Sequence, residues 1–309
     1  MKTHHGLDHF KNSAGTIVTI GTFDGVHIGH QKIIKRLLER AQSEKLEAVV
    51  LTFFPHPRMV LQQDDTIKLI NTIEERSALL AKLGLHHLII HPFTKDFSRM
   101  DAAHYVEEVL VNTLNAKKVI IGYDHRFGRN RSASIDDLKL YGTQFGFAVE
   151  EIGKQELDDV AISSTKIRRA LEEGAVQMAN AYLGRSTSLN GVVIEGKKLG
   201  RTLGFPTANL KIDAGYKLIP AQGVYIVSAQ IDHKTVYGMM NIGINPTLNG
   251  TQESIETHFF DFNQDLYGRE LEIQLLKRLR DERRFNSIEA LKEALQQNEY
   301  QARHYIKEL

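Results

Sequence analysis

Two histidines, His27 and His30, stand three residues apart inside Gly21-Thr22-Phe23-Asp24-Gly25-Val26-His27-Ile28-Gly29-His30. An imidazole both donates and accepts hydrogen bonds near neutral pH, and beside a phosphate it can stabilise developing charge. Residues 17–20 before the segment are apolar and read as a buried strand. Ile33, Ile34, Leu37, Leu38 and Ala41 after it keep to one helical face. The glycine-rich segment is therefore a strand-to-helix turn. Open α/β sheets bind ligands beyond their strand ends, and amides at a helix start suit phosphate. In a first helical turn the two histidines share a face, and Gly29 between them lets a ligand approach the backbone. These residues call for a polyphosphate beside two imidazoles; the plainer reading is a loop with two solvated histidines.

A second chemistry-bearing set lies downstream, in Ser254-Ile255-Glu256-Thr257-His258-Phe259-Phe260. Strand alternation puts Glu256, His258 and Phe260 on one face. A carboxylate there, facing the mouth of a barrel, suits a general base; otherwise it is an exposed strand residue. Upstream runs Gly196-Lys197-Lys198-Leu199-Gly200-Arg201-Thr202-Leu203-Gly204-Phe205-Pro206-Thr207-Ala208-Asn209. A basic, glycine-rich loop can wrap a polyphosphate through its amides, and Thr207 and Asn209 alternate onto one face as oxygen ligands for Mg²⁺. A flexible surface loop is the competing reading.

The elements that must position these residues follow a pattern. Strand signals at 48–54, 88–90, 119–121 and 148–152 alternate with helix signals at 72–83 and 101–114. That alternation predicts a parallel sheet covered on both sides. The 48–54 strand ends at Pro55-His56-Pro57, a stiff wall or a simple terminator. After 119–121 comes Gly122-Tyr123-Asp124-His125-Arg126-Phe127-Gly128-Arg129-Asn130-Arg131. It is a solvated basic loop, or one that sets arginines near phosphates and Phe127 against a planar ring. In Ile162-Ser163-Ser164-Thr165-Lys166-Ile167-Arg168 a serine caps a short helix whose first turn is cationic. Cations there oppose the helix dipole and call for an anion. Beyond Arg185-Ser186-Thr187-Ser188, read as a linker, short strands at 191–194, 223–231, 235–242, 254–262 and 271–276 predict a small antiparallel β-barrel, closed by a helix over 287–306.

The chain has 309 residues and 42% hydrophobic content, enough for two cored domains, expected at 1–184 and 185–309. Lys and Arg number 39 against 38 Asp and Glu, a net charge of +1, with no electrostatic footprint for nucleic acid or a membrane surface. The chain has no cysteine, which excludes disulfides, thiolate metal sites and cysteine nucleophiles and suits a reducing cytoplasm. No secretory signal or membrane-length apolar run is visible, and the expectation is a cytoplasmic protein.

The 21–30 string resembles the His-x-Gly-His nucleotidyltransferases, and within them the FMN adenylyltransferase half of bacterial bifunctional riboflavin kinase/FAD synthetases. Thr52-Phe53-Phe54-Pro55-His56-Pro57 is similar to that family's second motif. The 122–131 loop is similar too, with His125 where the family usually carries Phe, and residues 163–168 resemble its second phosphate-binding signature. Pro206-Thr207-Ala208-Asn209, residues 241–247 and 261–268 resemble the riboflavin kinase half. The resemblance implies a Rossmann-like nucleotidyltransferase domain followed by a barrel kinase domain. It implies ATP-dependent phosphorylation of riboflavin to FMN, then adenylylation of FMN to FAD, with Mg²⁺ as cofactor and ATP as co-substrate. It implies catalytic roles for His27, His30 and Glu256. Nucleotide and phosphate contacts would come from Gly21, Phe23, Asp24, Gly25, Gly29, Ser163, Ser164, Thr165, Arg168, Gly196, Gly200 and Arg201. Flavin contacts would come from His56, Asp124, Phe127 and Asn245, and metal ligation from Thr207 and Asn209. Two alternatives stay open at this point: a chain with one active half, and a non-catalytic flavin- or nucleotide-binding protein. The products formed from riboflavin and ATP separate them.

Overall fold

The computed structural model describes the chain apart from residues 12–13, 63–65, 123–124, 154–161, 197–198 and 248–249. Its contacts divide into two units, Met1–Ser164 and Thr165–Leu309.

The first unit is built on six parallel strands: β1 (Lys2–His4), β2 (Thr16–Ile20), β3 (Glu47–Phe53), β4 (His87–His91), β5 (Ala116–Gly122) and β6 (Ala148–Ile152). They lie in the order β1-β4-β3-β2-β5-β6. Both faces are apolar. Val18, Ile20, Val49, Leu51, Val119 and Ile121 point into one core, and Ile17, Ala48, Val50, Leu88 and Ile120 into the other. Such two-sided burial is why the strands read as continuous apolar runs. The helices are α1 (Ile28–Glu44), α2 (Pro57–Leu61), α3 (Ile73–Lys82), α4 (Lys95–Ser98), α5 (Ala102–His104) and α6 (Ile135–Phe145). Thr72 and Glu75 form a reciprocal capping box at the start of α3. The helix expected over 101–114 starts at the Asp101 cap but continues after α5 as a π-helix, Tyr105–Thr113. This stretch buries Tyr105, Val106, Val109 and Leu110.

Chain order on the sheet reverses between β2 and β5. Their carboxyl ends therefore flank a topological switch point, where an open sheet offers a crevice. The two loops singled out in the sequence, after residue 20 and after residue 121, leave from these ends.

The second unit opens with α7 (Ser164–Glu172, from Thr165 onward) and α8 (Val176–Leu183). A closed barrel follows: β7 (Thr187–Ile194), β8 (Ala208–Lys211), β9 (Gly223–Ile231), β10 (Lys234–Thr247), β11 (Gly250–Phe259) and β12 (Glu270–Arg280), in the order β10-β11-β8-β7-β12-β9. A helical turn, α9 (Leu199–Thr202), precedes β8, and α10 (Ile288–Ile306) packs on the barrel with Phe205, Met239, Phe260 and Ala302 in one cluster.

Three expectations are corrected. Thr187 and Ser188 are not linker but the first residues of β7: the Thr187 amide and hydroxyl both donate to Asn180 Oδ1, at 2.7 and 2.9 Å. The strand expected to run to residue 262 ends at Phe259, because Asp261 turns the chain with a φ of 54°. The glycine-rich loop of 196–209 holds two regular elements, α9 and β8.

Candidate active site

In the first unit, β2 ends and the chain enters an unusual turn. Phe23, Gly25 and Val26 all have positive φ, 48°, 86° and 38°. For a β-branched valine this is strained backbone, which persists only where its surroundings over-determine it. They do so here. Thr52 Oγ1 donates to the Thr22 carbonyl at 3.2 Å and Ser164 Oγ to the Asp24 carbonyl at 2.8 Å. Gln31 Nε2 donates to the Val26 carbonyl at 2.9 Å. The Asp24 carboxylate is fully buried; it accepts from the Ile70 and Asn71 amides, each at 3.2 Å, and faces the buried Arg76 guanidinium at 3.6 Å. Asp24 thus ties the turn to the segment before α3.

The turn delivers His27 as the N-cap of α1. Its Nδ1 accepts from the His30 amide at 3.3 Å. An accepting Nδ1 carries no proton, so neutral His27 keeps its hydrogen on Nε2, as a donor. The two imidazoles stack with centroids 3.7 Å apart and planes 17° from parallel, and Phe23 lies 5.0 Å from the His30 ring. Gly29 also has a packing reason to be glycine. A Cβ there would stand 3.2 Å from the His27 ring, so the glycine makes room for that imidazole.

Beside the turn is a cavity of about 850 Å³. Ile20, Gly21 and Thr22 line one side and His125–Arg131 another. Its lining includes the aromatic residues Phe53, Phe93, Phe97, Tyr105 and Phe127 and the cationic residues Arg58, Lys95, Arg99, Arg126, Arg129 and Arg131. Burial holds the Tyr105 phenol well above its ordinary range, so it stays neutral. Aromatic and cationic residues lining one space fit a planar ring carrying phosphate. Phe127 lines this space but is only 7% exposed; it is clamped by reciprocal backbone bonds to Ala133, 3.1 Å each, with its ring 5.8 Å from Tyr105. His56 caps α2, its Nδ1 accepting from the Arg58 amide at 3.2 Å, and the cavity is lined by its neighbours Pro57 and Arg58. Asp124 lies outside the described residues. Phe53 lies in the 52–57 string of the resemblance; Phe93, Phe97 and Tyr105 were not foreseen from sequence, although Phe93 and Phe97 follow the carboxyl end of β4, where such a sheet gathers ligand contacts.

Ser164 closes the first unit and Ser163, exposed, precedes it. Thr165 and Arg168 follow on α7 in the second unit, Arg168 one turn beyond Ser164.

In the barrel, Glu256 of β11 pairs with Asn209 of β8 on one side and Asn241 of β10 on the other. Directly paired residues share a sheet face, so one row carries carboxylate, carboxamide and carboxamide. Thr207, just before β8, donates its hydroxyl to Glu256 Oε2 at 3.3 Å. Gly196 presses against this row: a Cβ there would meet the Asn209 carboxamide at 2.2 Å. Gly200 and Arg201 sit on α9, with Arg201 exposed. Asn245 is a β10 residue whose side chain lies outside the described ones, as do Lys197 and Lys198 entirely. Asn241 belongs to the 241–247 string of the resemblance but carried no site role from sequence; the strand register brings it beside Glu256.

Among the described residues, no group of three or more His, Asp or Glu side chains is placed to hold a metal, and no helix is long and apolar enough to cross a membrane. The oxygens of Thr207 and Asn209 beside Glu256 form a different kind of donor set. Mg²⁺ takes few protein oxygens when substrate phosphates and water supply the rest, and these residues fit that use.

Two family models match successive parts of the chain. A family model for FAD synthetase matches residues 9–166 and one for riboflavin kinase matches residues 183–306. A bifunctional riboflavin kinase/FMN adenylyltransferase from Listeria monocytogenes is 38% identical over 295 residues, 95% of this chain and 93% of its own. The Bacillus subtilis protein of the same name is 36% identical over 99% of this chain and 96% of its own. The Escherichia coli K12 protein of that name is 32% identical over 99% of this chain and 98% of its own. A solved structure named as a macrolide-efflux protein from Streptococcus pneumoniae superposes with a TM-score of 0.89 at 32% identity, covering 98% of each chain.

Proposed function

The chain belongs to the bifunctional riboflavin kinase/FMN adenylyltransferase family, and on that premise we propose which residues carry each reaction. The enzyme phosphorylates riboflavin with ATP to give FMN and ADP, and joins FMN to the AMP moiety of a second ATP to give FAD and pyrophosphate.

For the kinase step the carrying observation is Glu256, held by Thr207 and in register with Asn209 and Asn241. The nucleophile is a neutral ribityl hydroxyl. Its oxygen bonds to the γ-phosphorus, the bond from that phosphorus to the ADP oxygen breaks, and the hydroxyl proton passes to Glu256. Thr207 and Asn209 would hold Mg²⁺, which when bound spreads the charge of the ATP phosphates. Gly196, Gly200 and Arg201 stand on the segment proposed to take the phosphates, and Asn245 is proposed on the flavin side.

For adenylyl transfer, the FMN phosphate is already an anionic nucleophile and needs no strong base. Its oxygen attacks the α-phosphorus and pyrophosphate departs. His27, through Nε2–H, and His30 stabilise charge at that centre. Gly21, Phe23, Gly25 and Gly29 shape the turn around the triphosphate, Asp24 holds its strained backbone, and Ser163, Ser164, Thr165 and Arg168 serve the leaving group. The cavity lined by aromatic and cationic residues takes FMN, with Phe127 in its lining and His56 setting Pro57 and Arg58; Asp124 is proposed as a further flavin contact. With a net charge of +1 and no cysteine, the reading is of a cytoplasmic enzyme acting on small molecules, without nucleic-acid or membrane partners.

Product analysis with riboflavin and ATP tests these assignments. His30→Ala should still accumulate FMN but lose FAD synthesis by on the order of 10²–10³-fold. Chelation of Mg²⁺ should stop both products. Normal FAD output from a folded His30→Ala enzyme, or turnover unchanged by chelator, would remove the corresponding assignment.

A further inference from the structure

Glu256 and His258 lie two residues apart on one face of β11, and both reach the segment just before β8. Thr207 Oγ1 donates to Glu256 Oε2 at 3.3 Å, and His258 Nδ1 lies 2.8 Å from the Pro206 carbonyl. Two consecutive residues of the segment are thus held by two same-face residues of the strand. A carbonyl oxygen only accepts, so His258 Nδ1 carries the proton of that bond in both the neutral and the cationic ring. The backbone ladder between β11 and β8 runs through Asn209 and Ala208. Pro206 and Thr207 lie beyond that ladder, and Pro206 has no N–H of its own to donate. Their placement against β11 falls to side chains. The imidazole that does this is fixed edge-on between two buried rings, Phe205 at 5.2 Å and Phe260 at 5.8 Å.

We propose that His258 is a positioning residue of the kinase site: its Nδ1–H holds the Pro206 carbonyl and thereby sets the Thr207 hydroxyl against Glu256. The bond at Pro206 is the shorter of the two, and it fixes the peptide from which Thr207 projects. Losing it frees Thr207 to drift from Glu256, and misplacement on the order of 1 Å is costly to a reaction that depends on orientation. The proposal rests on reading Thr207 and Glu256 as groups of the kinase site.

Three full-length variants separate hydrogen bond from ring. In His258→Asn the carboxamide nitrogen falls near the position of Nδ1; in His258→Gln it falls near Nε2; His258→Phe keeps the ring and loses the donor. Kinase kcat and the KM for ATP are measured with riboflavin, together with hydrogen exchange of the amides in residues 203–209. The denaturant midpoint of the barrel unit, measured on the same preparations, reports whether it is folded. Gln and Phe should lower kcat by on the order of tenfold to a hundredfold and speed exchange in the segment. Asn should return both towards wild type. If exchange is the same in all three variants, or if Phe or Gln matches Asn, the Nδ1 clamp is overturned. If exchange divides as expected while kcat stays at wild type throughout, the clamp exists but the Thr207–Glu256 reading fails, and the positioning role fails with it.

Discussion

Thr207 donates its hydroxyl to Glu256 Oε2 at 3.3 Å, which joins the proposed base to a proposed metal ligand in a single hydrogen bond. The hydroxyl keeps its lone pairs for a cation while its hydrogen is directed at the carboxylate. One oxygen of Glu256 is so occupied, and in the proposed reaction the other takes the ribityl proton.

Glu256→Gln separates basicity from shape. The carboxamide oxygen still accepts from Thr207, but the group no longer takes a proton at neutral pH. General-base catalysis contributes about 10²–10⁴-fold, and kinase kcat should fall by that order. FAD synthesis from supplied FMN should stay near wild type, since the adenylyl-transfer groups proposed above include no barrel residue. Full kinase turnover would leave Glu256 as an ordinary strand residue.

Much of this was legible because the chemistry is written in contiguous strings. The turn at 21–30 had to follow a strand and open a helix, and it does so after β2 and before α1. What was not legible depended on register or on distant burial. Asn241 joins Glu256 only through the β10–β11 pairing. Asp24, read as a phosphate contact, is a buried anchor whose partners lie at residues 70, 71 and 76, and no local pattern announces that contact. Strand β1 was missed because three residues are too few to show a period, and residues 135–145 gave no helix reading although Ser134 and Asp137 cap α6 reciprocally.

The Asp24–Arg76 pair yields a stability prediction. The side chains are 0% and 1% exposed, so solvent screens them little. Removing one partner of a buried pair costs about 3–5 kcal/mol because the other charge stays buried. Asp24→Ala should therefore lower the stability of the first unit by that order, measured by chemical denaturation, and take adenylyl transfer with it. Asp24→Asn, which keeps one acceptor, should fall between. A variant that loses FAD synthesis with an unmoved unfolding midpoint would show that Asp24 acts on the ligand instead.

Acid should loosen the edge of the same sheet. His87 is 8% exposed, with His4 Nε2 at 3.1 Å from its Nδ1 and Glu47 Oε2 at 3.6 Å from its Nε2; Lys2 and His86 also bear on it. Burial lowers its pKa below the ordinary 6.5, outweighing the opposite pull of Glu47. Burial lowers His91 in the same direction. The unfolded chain then binds protons that the folded chain resists. The stabilisation is complete above the ordinary value and declines as pH falls through it, until the folded-state pKa is passed. Melting temperature should be level near about pH 8 and drop towards about pH 5.5, and His87→Gln should show a shallower drop. An equal slope in both proteins would place the titration elsewhere.

The last prediction concerns where the kinase unit begins. A boundary at 184/185, like a family match that starts at residue 183, leaves α7 and α8 outside the barrel, whereas the contacts of the chain group Thr165–Leu309 together. Helix α8 buries Val176, Ala179 and Leu183. Its Asn180 side chain donates to the Leu275 carbonyl of β12 at 2.8 Å and accepts from both the amide and the hydroxyl of Thr187. From α7, Leu171 accepts from the Ala221 amide at 2.9 Å. Each such hydrogen bond is worth about 0.5–1.5 kcal/mol net, and a fully buried aliphatic side chain about 1.5–3 kcal/mol. Deleting the helices should cost a large part of the marginal stability of a small domain. A fragment of residues 163–309 should fold and convert riboflavin to FMN without making FAD. A fragment of residues 187–309 should unfold at clearly lower denaturant and lose FMN synthesis on warming before the longer one. Coincident unfolding midpoints for the two fragments would show that α7 and α8 add nothing to the barrel.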